Sequence, residues 1–134
     1  MDVDWRKEVN APEPGTVLCE FAELESGKIR EFRFGENDPF RMIVYRKDDQ
    51  VFAYVNQCPH HWLAMNRQAG KFIFWDEDEI MCVHHSAVFK LATGGFCSMG
   101  PCQGSNLTVV PLVVTDGSVA IGDSLGKWAE TSHR

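Results

Sequence analysis

The sequence lacks the features of a membrane-spanning or nucleic-acid-binding protein. No apolar run approaches the roughly 18 residues of a transmembrane helix, and the opening MDVDWRKEVN has no basic segment followed by an apolar one. Positive charge is scarce: 13 Lys and Arg residues face 19 Asp and Glu residues, for a net charge of −6. An acidic surface favours docking on a basic protein face. We expect a cytoplasmic protein with no nucleic-acid and no membrane partner.

A disulfide framework is also poorly supported. Five cysteines are an odd number, which fits badly with the paired bridges of a small secreted domain. Four of the five histidines lie within three residues of Cys58 or Cys82, so these two cysteines indicate ligand chemistry. A length of 134 residues with 44% hydrophobic content is enough for one hydrophobic core and predicts one domain.

Short apolar, β-branched or aromatic runs alternate with turn residues along the chain. They predict strands at residues 16–21, 29–34, 41–45, 50–55, 71–75, 79–83, 88–91, 107–110, 112–115 and 118–121. No stretch has a long helical period, although residues 20–24 predict one short helical turn. The pattern predicts an all-β protein, a small antiparallel sandwich or barrel. We expect a flexible N-terminal arm at 1–15, a domain at 16–122 and a C-terminal tail at 123–134.

A tetrapeptide occurs twice, as Cys58-Pro-His-His61 and as Cys82-Val-His-His85. Each copy directly follows a predicted strand, and residues 61–81 are enough for two strands and a turn that fold back. The two loops can therefore meet and offer two thiolates and two imidazoles to one site. Such a site can hold zinc, or an iron–sulfur cluster in which one iron takes two thiolates and the other two histidines.

The repeat resembles the motif of the Rieske family, which is Cys-x-His, a spacer, then Cys-x-x-His. The resemblance extends to residues 52–56 before the first loop, to residues 88–94 after the second, and to Gly100-Pro101, which is similar to the family's proline loop. It covers residues 16–122 and implies a Rieske-like fold with a cluster-binding subdomain of two ligand loops. It also implies one 2Fe-2S cluster per chain. The implied metal ligands are Cys58, His60, Cys82 and His85.

The resemblance also implies a low reduction potential. High-potential members of the family have a serine and a tyrosine after the second ligand histidine, and both donate hydrogen bonds to sulfur. Ala87 and Phe89 occupy those positions here and have no side-chain donor. Leu63 and His84 occupy the positions of a disulfide that links the two loops in those members, so that bridge cannot form. We expect a potential of about −150 mV, the low end of the Rieske range.

The ligand set without a further catalytic constellation predicts a one-electron carrier, a Rieske-type ferredoxin. Its expected partners are an NAD(P)H-dependent flavoprotein or ferredoxin reductase and a terminal oxygenase. If His60 and His85 bind the cluster, only three histidines remain for the mononuclear iron site that an oxygenase subunit also needs. We therefore expect a component of an oxygenase system that is not itself the oxygenase. One alternative is a small accessory subunit of an assimilatory nitrite reductase. Another is a structural zinc-binding module.

Three local assignments stay open. His61 or His84 can replace its neighbouring histidine as ligand, although the spacing of the motif favours the set above. Cys97 and Cys102 flank the predicted proline loop and form either a disulfide or two reduced thiols, of which a cytoplasmic protein favours the thiols. The acidic residues 76–79 form either a solvated hairpin tip or a docking patch for a partner.

Overall fold

The computed structural model describes residues 5–7, 9–37, 39–57, 72–76, 78–82, 87–100, 105–122 and 132–133. Within these residues the chain forms strands and short 3₁₀ turns. The strands are β1 (Val17–Glu20), β2 (Ile29–Phe34), β3 (Phe40–Lys47), β4 (Gln50–Val55), β5 (Ile73–Asp76), β6 (Glu79–Met81), β7 (Val88–Lys90), β8 (Phe96–Met99), β9 (Leu112–Thr115), β10 (Ser118–Ile121) and β11 (Ser132–His133). The 3₁₀ turns are Trp5–Lys7, Phe21–Glu23 and Leu91–Thr93.

The strands form three small sheets. Sheet A has the order β1-β10-β9-β11, sheet B the order β2-β3-β4, and sheet C the order β5-β6-β7-β8. All pairs are antiparallel except β11 with β9, which is parallel. The prediction of an all-β, antiparallel architecture is therefore confirmed. No helix among the described residues is long and apolar enough to cross a membrane.

Sheet B lies between the two hydrophobic cores. Along β3, Ile43 and Tyr45 pack into a core shared with sheet C, whereas Met42 and Val44 pack into a core shared with sheet A. Because both faces of the strand are buried, the apolar residues of β3 and β4 run without the polar alternation of a half-exposed strand. The sheet is thereby fixed between the other two.

The segment 107–110 corrects one predicted strand. Its backbone bonds are divided between two partners: Leu107 N donates to Gly95 O, just before β8, at 2.9 Å, while Val110 N donates to Ala53 O in β4, also at 2.9 Å. A segment that divides its bonds in this way makes only isolated bridges, such as Val109 with Tyr54. Two described strands, β8 and β11, were not predicted. Each is short, and β8 lies between glycines, which are typical of turns.

The segment before β1 contributes a large side chain to the core. Trp5 is fully buried, and its ring centroid lies 6.3 Å from that of Phe40 at the start of β3. An indole buries a large apolar area, so this contact adds to the core between sheets A and B. The predicted bounds of the arm, the domain and the tail stay predictions.

Candidate cluster-binding site

The second ligand loop closes the hairpin between β6 and β7. The two strands pair from Glu79 opposite Lys90 to Met81 opposite Val88. One step further, Cys82 N donates to Ala87 O at 2.8 Å, and residues 83–86 lie outside the described residues. The backbone of the predicted ligand Cys82 is therefore held at the end of the β6–β7 pairing.

The environment of Cys82 is apolar. The residue is fully buried in the core between sheets B and C, together with Ile80 and Phe89. A thiolate in such surroundings needs a positive partner, because burial without one disfavours the charged form. An iron ion is such a partner, so the donor chemistry at Cys82 fits a metal cluster.

The other three predicted ligands, Cys58, His60 and His85, lie outside the described residues, as do the alternatives His61 and His84. The structure describes the residues on either side of the first ligand segment. The chain leaves sheet B at residues 55–57 and is described again from residue 72, just before sheet C. No three His, Cys, Asp or Glu side chains that could hold a metal lie together among the described residues. The full ligand set therefore stays a prediction.

The positions that bear on the reduction potential are described. Ala87 and Phe89 are both fully buried, and neither side chain can donate a hydrogen bond. Gly100 packs directly against Ala87. A Cβ added to Gly100 would lie 2.7 Å from Ala87 Cα, and the φ of +100° is one that side chains with a Cβ rarely adopt. Gly100 of the Gly-Pro pair singled out in the sequence therefore lies against the backbone of Ala87, and Pro101 lies outside the described residues.

Cys97 is fully buried in the same core as Cys82. Its Sγ donates to Met99 O at 3.2 Å, across the end of β8. Its proposed partner, Cys102, lies outside the described residues.

Two buried tyrosines tie sheet B to sheet C. Tyr54 Oη donates to Leu91 O at 2.5 Å, and Tyr45 Oη donates to Asp78 Oδ1, also at 2.5 Å. Burial raises the pKa of the Tyr54 phenol well above its ordinary value, so this hydroxyl stays a donor. Both contacts span the core that contains Cys82.

Asp78 is a structural residue that the sequence did not identify. Besides Tyr45, it accepts from Lys47 Nζ, and its own carbonyl accepts from Leu91 N at 2.8 Å. Burial alone would raise the pKa of Asp78, but the hydrogen bonds from Lys47 and Tyr45 hold it below its ordinary value. Asp78 thus links the β5–β6 hairpin to β3, which a solvated acidic tip would not do.

The described residues form an all-β protein in which one predicted ligand, Cys82, lies fully buried at the end of the β6–β7 pairing. The sequence profile of the Rieske [2Fe-2S] domain matches residues 15–115. The chain belongs to this family, and the cofactor of the domain is a 2Fe-2S cluster. A search of curated proteins finds no match.

Solved structures of similar fold include several ferredoxins. The Sphingomonas yanoikuyae B1 ferredoxin is 26% identical, with a TM-score of 0.57 over 81% of this chain and 97% of that one. A chain from the complex of reduced oxygenase and oxidised ferredoxin in carbazole 1,9a-dioxygenase is 25% identical, with a TM-score of 0.60 over 85% and 94%. The ferredoxin of carbazole 1,9a-dioxygenase from Nocardioides aromaticivorans IC177 is 22% identical, with a TM-score of 0.59 over 82% and 100%.

Proposed function

We propose that the protein is a Rieske-type ferredoxin, a one-electron carrier that receives electrons from an NAD(P)H-dependent reductase and delivers them to a terminal oxygenase. The observation that carries this proposal is the Rieske domain over residues 15–115. Support for the oxygenase as partner comes from the similar chain in the oxygenase–ferredoxin complex of carbazole 1,9a-dioxygenase. The absence of a second catalytic constellation in the sequence agrees with a carrier.

The proposed ligands are Cys58 and Cys82 for one iron and His60 and His85 for the other. When bound, the cluster supplies reversible one-electron chemistry. Two ferric ions, two sulfides and two thiolates sum to zero charge, whereas four thiolates would leave a dianion. The two histidines therefore make reduction easier than in an all-cysteine site. Each imidazole also keeps one ring N–H that can donate to a partner protein.

The proposed potential is low within the Rieske range, about −150 mV. The support is the pair of buried, donor-free side chains at Ala87 and Phe89, which offer no hydrogen bond that would stabilise a more negative reduced site. A low-potential carrier suits transfer from a flavin reductase to an oxygenase better than oxidation of a quinol.

The test is a visible and EPR spectrum of protein purified without air, before and after dithionite, with iron and sulfide analysis and a redox titration. We expect two irons and two sulfides per chain, a reduced EPR signal with an average g below two, and a midpoint near the low end of the range. A colourless protein with one zinc, which reconstitution with iron and sulfide does not convert, would refute the proposal. A midpoint above zero would refute the low potential alone.

The direction of electron flow needs a separate assay. Reduction of the protein by NAD(P)H and a flavoprotein ferredoxin reductase is measured against a variant in which Cys82→Ser removes a proposed ligand. We expect the wild type to be reduced and to support turnover of an aromatic-ring oxygenase, whereas the variant does neither. Equal rates for the two proteins would contradict the carrier role. Copurification with a sirohaem enzyme would favour a subunit of nitrite reductase instead.

A further inference from the structure

A buried carboxylate lies on the face of sheet B that is turned toward sheet C. Glu31 on β2 is the register partner of Ile43, whose side chain packs in the core between the two sheets. The Glu31 side chain is only 4% exposed. Its Oε2 accepts hydrogen bonds from Arg41 Nε at 2.8 Å, from Arg41 Nη2 at 2.6 Å and from Asn56 Nδ2 at 2.9 Å. We call Glu31, Arg41 and Asn56 the buried triad after its buried carboxylate; the Arg41 side chain itself is 23% exposed.

Asn56 connects the triad to the chain that leads into the first ligand loop. Its backbone N donates to Arg41 O at 2.9 Å, which continues the pairing of β3 with β4 by one residue beyond Val55. The residue is 1% exposed, so both its main chain and its side chain are held inside the protein. Cys58, a proposed ligand, follows two residues later.

The energetics of such a group favour a role in positioning. Removing a carboxylate and a guanidinium from water costs free energy, and their attraction repays it only when further hydrogen bonds satisfy the charges. Apolar residues of similar volume often stabilise a fold as well as a buried ion pair does. The triad instead supplies specific geometry. Two nitrogens of Arg41 and one of Asn56 contact the same carboxylate oxygen of Glu31, so these contacts fix the position of residue 56 relative to β2 and β3.

We propose that the buried triad is a set of positioning residues that fixes residues 55–57, from which the chain continues to the proposed ligands Cys58 and His60, and that this restraint contributes to retention of the cluster. This inference rests on the proposed ligand set. Groups that orient metal ligands commonly change metal retention by about 10–100-fold when they are removed. The triad therefore affects how long the cluster is held and how the iron is ligated.

The test compares cluster loss from the wild-type holoprotein and from Asn56→Ala. The bleaching of visible absorbance in the presence of an iron chelator is followed with time, and EPR spectra of the reduced proteins are recorded. We expect Asn56→Ala to lose the cluster about tenfold faster and to show shifted g values. Arg41→Lys keeps the positive charge but loses the planar guanidinium with its paired N–H donors, so we expect a smaller increase in the rate of cluster loss than for Asn56→Ala. It also serves as the test variant if Asn56→Ala does not accumulate as folded protein.

Two controls separate positioning from charge and from general stability. Arg30→Gln removes one positive charge from the same strand, next to Glu31, at an exposed residue whose guanidinium lies 3.9 Å from Glu23. Val119→Ala creates a cavity at a fully buried residue in the other core. We expect both controls to keep the wild-type rate of cluster loss and the wild-type g values.

The outcomes are distinguishable. If the wild type holds the cluster and Asn56→Ala loses it at the wild-type rate with the same g values, the inference is wrong and the proposed function stands. Equal acceleration by Val119→Ala would also overturn the inference, because cluster loss would then follow overall stability. If the wild type holds zinc, the proposed function fails, and faster zinc release from Asn56→Ala would support the positioning role. A wild type that holds no metal overturns both.

Discussion

The link between the β5–β6 hairpin and sheet B can be tested by the substitution Asp78→Asn. The carboxylate of Asp78 accepts from Tyr45 Oη at 2.5 Å and from Lys47 Nζ, and its side chain is 22% exposed. A hydrogen bond to a charged group contributes about 1.5–3 kcal/mol. The bond from Lys47 counts for less, because that side chain is 38% exposed and solvent screens the charge. We expect a loss of about 2 kcal/mol, which corresponds to a factor of about 30.

The assay is hydrogen exchange of the holoprotein, read at the amide of Leu91. This amide donates to the carbonyl of Asp78 at 2.8 Å, so it reports directly on opening of the hairpin from sheet B. We expect Asp78→Asn to lower its protection about 30-fold at pH 7. The matched control is Asp116→Asn, an acidic residue that is exposed in the turn between β9 and β10. We expect this control to leave the Leu91 amide unchanged.

The dependence on pH gives a second check. The folded pKa of Asp78 is lowered, so its contribution to stability is complete above the pKa of an unfolded Asp, about 3.9, and is lost as pH falls through the lower folded value. The difference between wild type and Asp78→Asn should therefore be constant from pH 7 to pH 5 and should shrink only below about pH 4. Equal protection in Asp78→Asn and Asp116→Asn at pH 7 would refute the reasoning.

Three further predictions concern single side chains near the proposed cluster. Phe89→Tyr adds a hydroxyl that can donate a hydrogen bond to the cluster. If this bond favours the reduced state by about 1.4 kcal/mol, the reduction midpoint should rise by about 60 mV. A redox titration with an unchanged midpoint would contradict this. Tyr54→Phe removes the donor to Leu91 O and should lower the free energy of unfolding by about 1–3 kcal/mol, measured by urea titration against wild type. Gly100→Ala places a Cβ 2.7 Å from Ala87 Cα at a φ of +100°, so purified protein should contain less iron than wild type or Gly27→Ala, whose added Cβ meets nothing within 4 Å.

The strands of sheet B were predictable because each is a short run rich in apolar, β-branched or aromatic residues that is bounded by turn residues. The predicted ranges 29–34 and 50–55 coincide with β2 and β4, and the Lys47-Asp-Asp49 turn falls between β3 and β4. The unbroken apolar run of β3 indicated burial but not which sheet covers which face. That assignment depends on packing against residues distant in the chain, such as Phe89 and Val119.

The ligand motif could be found in the sequence because metal chemistry demands particular residue types at short spacing, and this demand is local. The family and the cofactor followed from the resemblance of that motif and its flanking residues, and the all-β class from short apolar runs separated by turn residues. The roles of Asp78 and Glu31 could not follow, since an acidic residue in a turn or on an edge strand is usually solvated. Their partners lie elsewhere in the chain, Tyr45 and Lys47 for one and Arg41 and Asn56 for the other. Folding brings these groups together and withdraws them in part from water, so that charges expected on the surface become links between strands.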